Sequence, residues 1–587
     1  MGDPQKTKKL INNPDDLIAE LIDGMVGAHP DLLRKEGRTG RAVVAVDGPR
    51  DGKVGIVIGG GSGHEPLFSG YVGRGLADAC AVGNIFASPS PDQICDAARA
   101  ADGGAGVLFL YGNYTGDVMN FDMAAERLKA EGIIARSVLV TDDVASAPAD
   151  RKSERRGIAG DIFVFKVAGA AADKGLPLDE VERLARFAND HTASMGVALG
   201  PCSLPQTATP NFQIGCDEME IGMGIHGEPG IERIKLETAD AVADRLLNPV
   251  LADITAVKGD AVAVMINGLG STALLELYIL HRRVREVLTQ RSISIHRSWV
   301  GEYATSLEMA GASVTLIKLN DELRDLLEYP CRTIALQVGE SEPRVAAENT
   351  ARNRVKASTA TIKTTTTTEA LLIDGAITPH IFSEMMQKVA LRISESKEVL
   401  CKLDGAIGDA DHGITMETGW QAISAALDLC PPDATISAMC SSMSDAFLES
   451  VGASAGPLYA TGFERAGAAV SDRLNLDAGA MVRWLEGMAQ GIVLRGGASE
   501  GEKTMVDVWI PASEAARSAL DLGADLSACL SAANDAAEKG AQATTGMRAA
   551  RGRASKLGER AIGHLDPGAA SAAIIIRTLL AAHIAQR

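Results

Sequence analysis

The chain has 587 residues, too many for one hydrophobic core, and its 46% apolar and 23% charged content is that of a globular protein. A formal net charge of −19 excludes broad electrostatic binding to nucleic acid or anionic membrane, which needs clustered cations, but leaves room for a local basic pocket. No run of about 18 uncharged apolar residues occurs and the first ten residues lack the apolar core of a secretory signal, so a cytoplasmic protein is expected.

In chain order, residues 16 to 335 alternate short branched-apolar runs with amphipathic stretches, the pattern of an α/β domain. Strands are predicted at 54–58, 107–110, 162–167 and 262–266, several of them running into glycine-rich or polar turns. Open α/β sheets bind ligands at the carboxyl ends of strands, so those turns are where chemistry is expected. The segment 338–369 turns to charged and small residues, with five threonines at 364–368, and reads as a linker. From 370 to 587 alanine-rich helical periodicities dominate, which predicts an all-α unit. The nine cysteines never form Cys-x-x-Cys, against a disulfide framework or a structural zinc site.

The first informative segment is Gly59-Gly60-Gly61-Ser62-Gly63-His64-Glu65-Pro66, directly after a predicted strand. Its glycines allow close approach of backbone N–H groups to a ligand, although a plain tight turn reads the same way. It matches neither the phosphate loop nor the dinucleotide pattern. Two further strand ends carry titratable groups among small residues: Tyr111-Gly112-Asn113-Tyr114-Thr115-Gly116-Asp117, and Gly222-Met223-Gly224-Ile225-His226-Gly227-Glu228-Pro229-Gly230. A lone histidine is commonly structural, but two histidines and an aspartate on glycine turns point to a site. In the helical unit, Asp404, Asp409 and Asp411 put three carboxylates within eight residues, with Gly405 and Gly408 among them and Gly413 just after. Such hard oxygen donors suit Mg²⁺ beside nucleotide phosphates, and a solvated acidic loop is the bland alternative.

With these motifs in this order, together with Phe86-Ala87-Ser88-Pro89-Ser90-Pro91 and Gly552-Arg553-Ala554-Ser555, the sequence strongly resembles the dihydroxyacetone kinase family over nearly its whole length. The resemblance implies an α/β ketose-binding domain over 8–337, a linker over 338–369 and a helical-barrel ATP- and Mg²⁺-binding domain over 370–587. It implies that His226 holds the ketone as a covalent hemiaminal through Nε2, with His64 and Asp117 as the acid/base pair. Gly61, Ser62, Gly63 and Gly112 would border the substrate, and Asp404, Asp409 and Asp411 would hold the metal. Nucleotide contacts would come from His412, Gly413, Ile414, Thr415, Ala453, Ser454, Gly496, Met505, Arg553, Asp566, Pro567 and Gly568.

Two departures from the family pattern are visible. Ala453 stands where relatives often have Ser or Thr, which removes a side-chain hydroxyl but not a backbone contact. Gly112 stands where dihydroxyacetone kinases commonly have lysine, which predicts room for a four-carbon ketose, erythrulose. The resemblance further implies free ATP as co-substrate and a homodimer in which the nucleotide unit of one subunit meets the ketose unit of the other. The rival readings are a ketose-sensing regulator without enzymatic activity and a lyase that cyclises flavin adenine dinucleotide.

Overall fold

Two six-stranded sheets and a ring of helices make up the protein in its computed structural model, which describes residues 7–339, 376–408 and 410–586. The first sheet holds β1 (Leu33–Glu36), β2 (Ala42–Ala45), β3 (Gly55–Ser62), β4 (Ala79–Ile85), β5 (Val107–Gly112) and β6 (Ala135–Val140), in the order β1-β2-β4-β3-β5-β6. Its four strands β4, β3, β5 and β6 are parallel, and β1 and β2 close one edge antiparallel. The second sheet holds β7 (Thr192–Ala198), β8 (Glu218–Ile221), β9 (Glu232–Lys235), β10 (Ala261–Gly268), β11 (Ser294–Gly301) and β12 (Gly311–Leu319), in the order β11-β10-β12-β7-β8-β9. All its pairs are antiparallel except β10 with β11.

Three of the four strand expectations fall on strands, at β3, β5 and β10. The fourth is wrong: 162–167 lies in the helix Asp161–Asp173. That helix is buried on every side, packed between the sheets, so its Ile-Phe-Val-Phe run shows no polar face and a six-residue apolar run has the same appearance in either structure. The glycine-rich turn is also displaced, because β3 continues through Gly59-Gly60-Gly61-Ser62. Those glycines serve close packing: a Cβ on Gly60 would lie 2.3 Å from the Phe68 ring, and one on Gly59 would lie 2.7 Å from the Ala81 carbonyl oxygen.

After residue 376 the chain is helical. Eight helices, Pro379–Glu395, His412–Asp428, Ile436–Ser450, Ala455–Ala469, Ala478–Gly496, Val506–Asp521, Leu526–Ala543 and Pro567–Ile584, each pack on the next, and the last returns to the first to close a barrel. Five of these starts are capped by Thr378, Thr435, Asp477, Asp525 and Asp566, whose side chains accept the amide three residues on. The barrel interior is filled by Trp420, Trp484, Trp509, Phe447, Phe463 and the alanines that let the helices approach. The helix Pro567–Ile584 is long and apolar enough to cross a membrane, but Arg577 interrupts it and its Ile575, Ile576 and Leu579 face are part of this interior. The expected linker falls, apart from residues 338 and 339, outside the described residues.

Buried thiols tie stability to pH. Burial pushes the Cys440 thiol up to about 12, against the small opposing effect of a hydrogen bond from Trp484 Nε1 at 3.3 Å. An unfolded thiol loses its proton near pH ~8.5, so between there and about 12 the folded state binds more protons and stability falls as pH rises, by ~1.4 kcal/mol per pH unit per such thiol. Thermal denaturation between pH 8 and 10 should therefore decline less steeply in Cys440→Ala than in the native protein; equal slopes would remove Cys440 from the account.

Candidate active site

Four strand ends of the α/β half converge on one opening. After β3 comes His64, after β4 comes Phe86, and after β5 comes the helix Thr115–Ala130 with Asp117 in its first turn, where the helix terminus favours a negative charge. The fourth contribution is the loop 222–230 following β8, which carries His226.

His226 is 6% exposed and tightly held. Its Nδ1 lies 2.9 Å from Glu228 Oε1, its own backbone N–H donates to Glu228 Oε2 at 2.9 Å, and its carbonyl accepts from Asn211 Nδ2 at 3.1 Å. Gly227 makes the turn possible with φ +86°. A carboxylate accepting on both oxygens puts the imidazole proton on Nδ1, which leaves the Nε2 lone pair for a carbon electrophile. Behind Glu228 stands Arg156, buried, with Nε and Nη2 on Asp143 at 2.9 and 2.8 Å and Nη1 3.7 Å from Glu228 Oε2. Burial disfavours that guanidinium's charge, but Asp143, Glu228 and Tyr114 outweigh it and raise its pKa above the usual value.

Three rings box the imidazole: His64 at 4.8 Å, Phe86 at 5.3 Å and Tyr114 at 4.7 Å between centroids, all edge-on. His64 is fixed by its Nδ1, which must donate to the Thr305 carbonyl at 2.7 Å because a carbonyl only accepts.

In the barrel, Asp404 lies in the helix Lys397–Ile407, not in a loop as its glycine neighbours suggested. Its Oδ2 accepts from the backbone N–H of Asp411 at 3.0 Å and of His412 at 3.2 Å, which folds the acidic segment back over the start of the helix His412–Asp428. His412 Nε2 reaches Ser571 Oγ at 3.0 Å. Asp566 caps the helix Pro567–Ile584 through the Ala569 N–H at 2.7 Å, and burial raises its carboxyl to about 7 despite that bond and the nearby Lys503.

Both groups of residues line one continuous cavity of about 350 Å³, within the range that holds a small ligand. Gly61, Asp117 and His226 line its α/β side; Asp404, Asp411, His412, Thr415, Ala453, Ser454, Gly496, Met505, Asp566, Pro567 and Gly568 line its helical side. Ser62, Gly63, His64, Gly112, Gly413 and Ile414 are not among its lining residues. Gly112 is screened by Tyr114: a Cβ there would lie 3.1 Å from that ring and 3.2 Å from the Gly157 carbonyl oxygen. Arg553 opens the segment Arg553–Ala561, and Asp409 lies outside the described residues. Among the described residues no three metal-ligating side chains cluster. Asp404 and Asp411 offer two carboxylates on the cavity wall, a donor set that fits Mg²⁺, which takes few protein oxygens and fills its remaining positions with water and phosphate.

Sequence reasoning missed Glu228, Arg156, Tyr114 and Lys503 as members of this cavity or its support. Glu228 could have been found two residues after His226 in the same glycine loop; Arg156, 70 positions away in sequence, gives no local sign.

Comparison with known proteins decides the family. Residues 23–335 match the Dak1 domain model and residues 406–581 the DAK2 domain model. The chain belongs to the dihydroxyacetone kinase family. Within it, L-erythrulose 1-kinase of Mycolicibacterium smegmatis is 38% identical, over 97% of this chain and 98% of that protein. Human triokinase/FMN cyclase is 34% identical, over 98% and 99%. Among solved structures, the dihydroxyacetone kinase from C. freundii in complex with AMP-PNP and Mg²⁺ is 30% identical, covers 98% of this chain and 99% of its own, and superposes with a TM-score of 0.52. A dihydroxyacetone kinase operon co-activator matches 55% of this chain and 98% of its own at 33% identity, also with a TM-score of 0.52.

Proposed function

We propose that this protein transfers the γ-phosphoryl group of Mg·ATP to a terminal hydroxyl of a short ketose, erythrulose or dihydroxyacetone. The carrying observation is the single cavity with His226 on one wall and Asp404 and Asp411 on the other. In this reading His226 Nε2 adds to the ketone carbon while the carbonyl oxygen takes a proton, giving a neutral hemiaminal after Nδ1 releases its proton toward Glu228. Glycerol has no carbonyl and is rejected at this step. Asp117 removes the proton of the terminal hydroxyl as its oxygen attacks phosphorus, and His64 serves the proton transfers around the former carbonyl. Asp404, Asp409 and Asp411 would hold Mg²⁺, which when bound neutralises charge on the phosphates. The nucleotide phosphates would meet the backbone N–H groups at the start of the helix Ala455–Ala469.

The functional units remain 8–337 and 370–587, in a cytoplasmic homodimer. The exposed apolar side chains Leu274, Leu275, Tyr278 and Ile279 offer a surface for dimerisation. Measuring ADP release with and without erythrulose, dihydroxyacetone, glyceraldehyde and glycerol tests the reaction; no ketose-dependent release would overturn it. Relatives named triokinase/FMN cyclase favour a second activity of the same nucleotide site, so flavin adenine dinucleotide belongs in the assay, with cyclic flavin nucleotide as its readout.

We further assign a preference for the tetrose. A lysine at position 112 would supply a charge-assisted contact of roughly 1.5–3 kcal/mol to a small substrate, and that contact is absent here. In its place Arg156 Nη1 and Tyr114 Oη, on two cavity-lining residues, have no hydrogen-bond partner among the described residues and suit the additional hydroxyl of erythrulose. The native enzyme should show the higher kcat/KM for D- or L-erythrulose, and Gly112→Lys, which must displace the Tyr114 ring, should shift the ratio toward dihydroxyacetone. Triose preference in the native enzyme, or an unmoved ratio in the variant, would defeat the assignment.

A further inference from the structure

Among the described residues that line the cavity, Lys503 carries the only ammonium. It is 1% exposed, and its backbone sits in the left-handed region at φ +60°, which a residue with a side chain rarely takes. The loop that carries it is folded by Asp507, whose Oδ1 accepts from the Gly501 N–H and whose Oδ2 accepts from the Thr504 N–H at 2.8 Å. From that loop Nζ donates to two backbone carbonyls on other segments: that of Thr544, just past the helix Leu526–Ala543, and that of His564, two residues before Asp566. The negative charges acting on it are those of Asp566 and Asp507. Fixed main-chain carbonyls with carboxylates beside them are a donor set that holds a dehydrated monovalent cation. The segments joined in this way form one end of the cavity's helical wall, Thr504, Met505 and Val506 from the first and Asp566, Pro567 and Gly568 from the second. They are in contact: a Cβ on Gly568 would lie 3.6 Å from Met505 Cε, and Thr544 Oγ1 accepts from the Asp566 N–H at 3.1 Å.

We propose that the Lys503 ammonium serves as a tethered monovalent cation, a positioning group that locks the Thr504–Val506 edge of the nucleotide wall to the Asp566–Gly568 edge. Every contact in this account lies inside the helical half. The proposal rests on the reading of that wall as the nucleotide site and is independent of the ketose chemistry. Because the ammonium gives its protons to main-chain oxygens, truncating the side chain leaves two buried carbonyls without a donor and two carboxylates without their cation, and the edges lose their register. A free primary ammonium that reaches the same oxygens restores the register when the side chain is cut back. The n-propylammonium ion has the atoms that lysine has beyond Cβ, and it is the probe that fits the space.

In the full chain, Lys503→Ala should weaken Mg·ATP binding, measured calorimetrically, about 10- to 30-fold, with the ketose KM changed less than about threefold. Adding about 50 mM n-propylammonium should raise the variant's Mg·ATP affinity at least about fivefold. Tetramethylammonium at the same ionic strength has no N–H to give and should restore nothing. Lys503→Met keeps the stem and loses the charge, so it should bind Mg·ATP about as weakly as the alanine variant and respond to neither ion, its space being filled. The melting temperature supplies a reading that needs neither nucleotide nor ketose: n-propylammonium should raise it in Lys503→Ala and leave Lys503→Met and the native protein unchanged. Native affinity in Lys503→Met, no rescue of Lys503→Ala, or rescue by tetramethylammonium as well would overturn the proposal. Failure of the nucleotide reading looks different: the native protein would not bind Mg·ATP, while the melting temperatures would still separate the two variants.

Discussion

His226→Ala should lose ketose phosphorylation by at least about 10³-fold in kcat/KM while still binding Mg·ATP, the largest effect expected of any single substitution. The expectation follows from how the imidazole is held. Glu228 takes both the Nδ1 proton and the backbone N–H of the same residue, at 2.9 Å each, so the ring has one orientation and one tautomer. A short ketose offers few groups to grip, and a bond to Nε2 would replace what hydrogen bonds alone cannot supply. Crystals of the native protein soaked in erythrulose should show continuous density from Nε2 to a carbon atom. Glu228→Gln should retain part of the activity, because the amide oxygen still accepts from Nδ1 but no longer balances positive charge on the ring. A His226→Ala protein working at the native rate would sink the covalent assignment and leave His226 a structural residue of its loop.

The second large effect is expected at the acidic segment. Asp404→Asn, and Asp409→Ala beside it, should remove most activity, by about 10² to 10³-fold, with ketose affinity unchanged within about threefold when measured calorimetrically. Asp404 holds two backbone N–H groups through Oδ2, so its loss also loosens the fold of the segment at the start of the helix His412–Asp428. Chelation followed by Mg²⁺ titration should reproduce the loss and recovery in the native protein. If either substitution weakened ketose binding as strongly as it weakened turnover, the two walls of the cavity would not be the separate binding elements described above.

Much of this site could be read before any coordinates. The histidine and aspartate positions stand out because titratable side chains at the glycine-rich ends of predicted strands lie where open α/β sheets bind ligands, and three carboxylates in eight residues repel one another unless a cation or N–H donors offset the charge. What could not be read depends on contacts between distant segments. Arg156 acts on Glu228, and Asn120 on Gly452, across 72 and 332 positions of sequence. The helix Asp161–Asp173 reads as a strand in sequence because burial on all sides erases the period that distinguishes the two. The glycines of β3 read as a turn because glycine there serves the neighbours' volume, the rings of Phe68 and Phe121, and not its own dihedral freedom.

Carrying the His226 wall and the Asp404 wall on one polypeptide fixes their ratio. A cell that makes this chain makes the two in equal number by a single translation, whereas a system divided between separate subunits must match two syntheses to avoid leaving one of them idle.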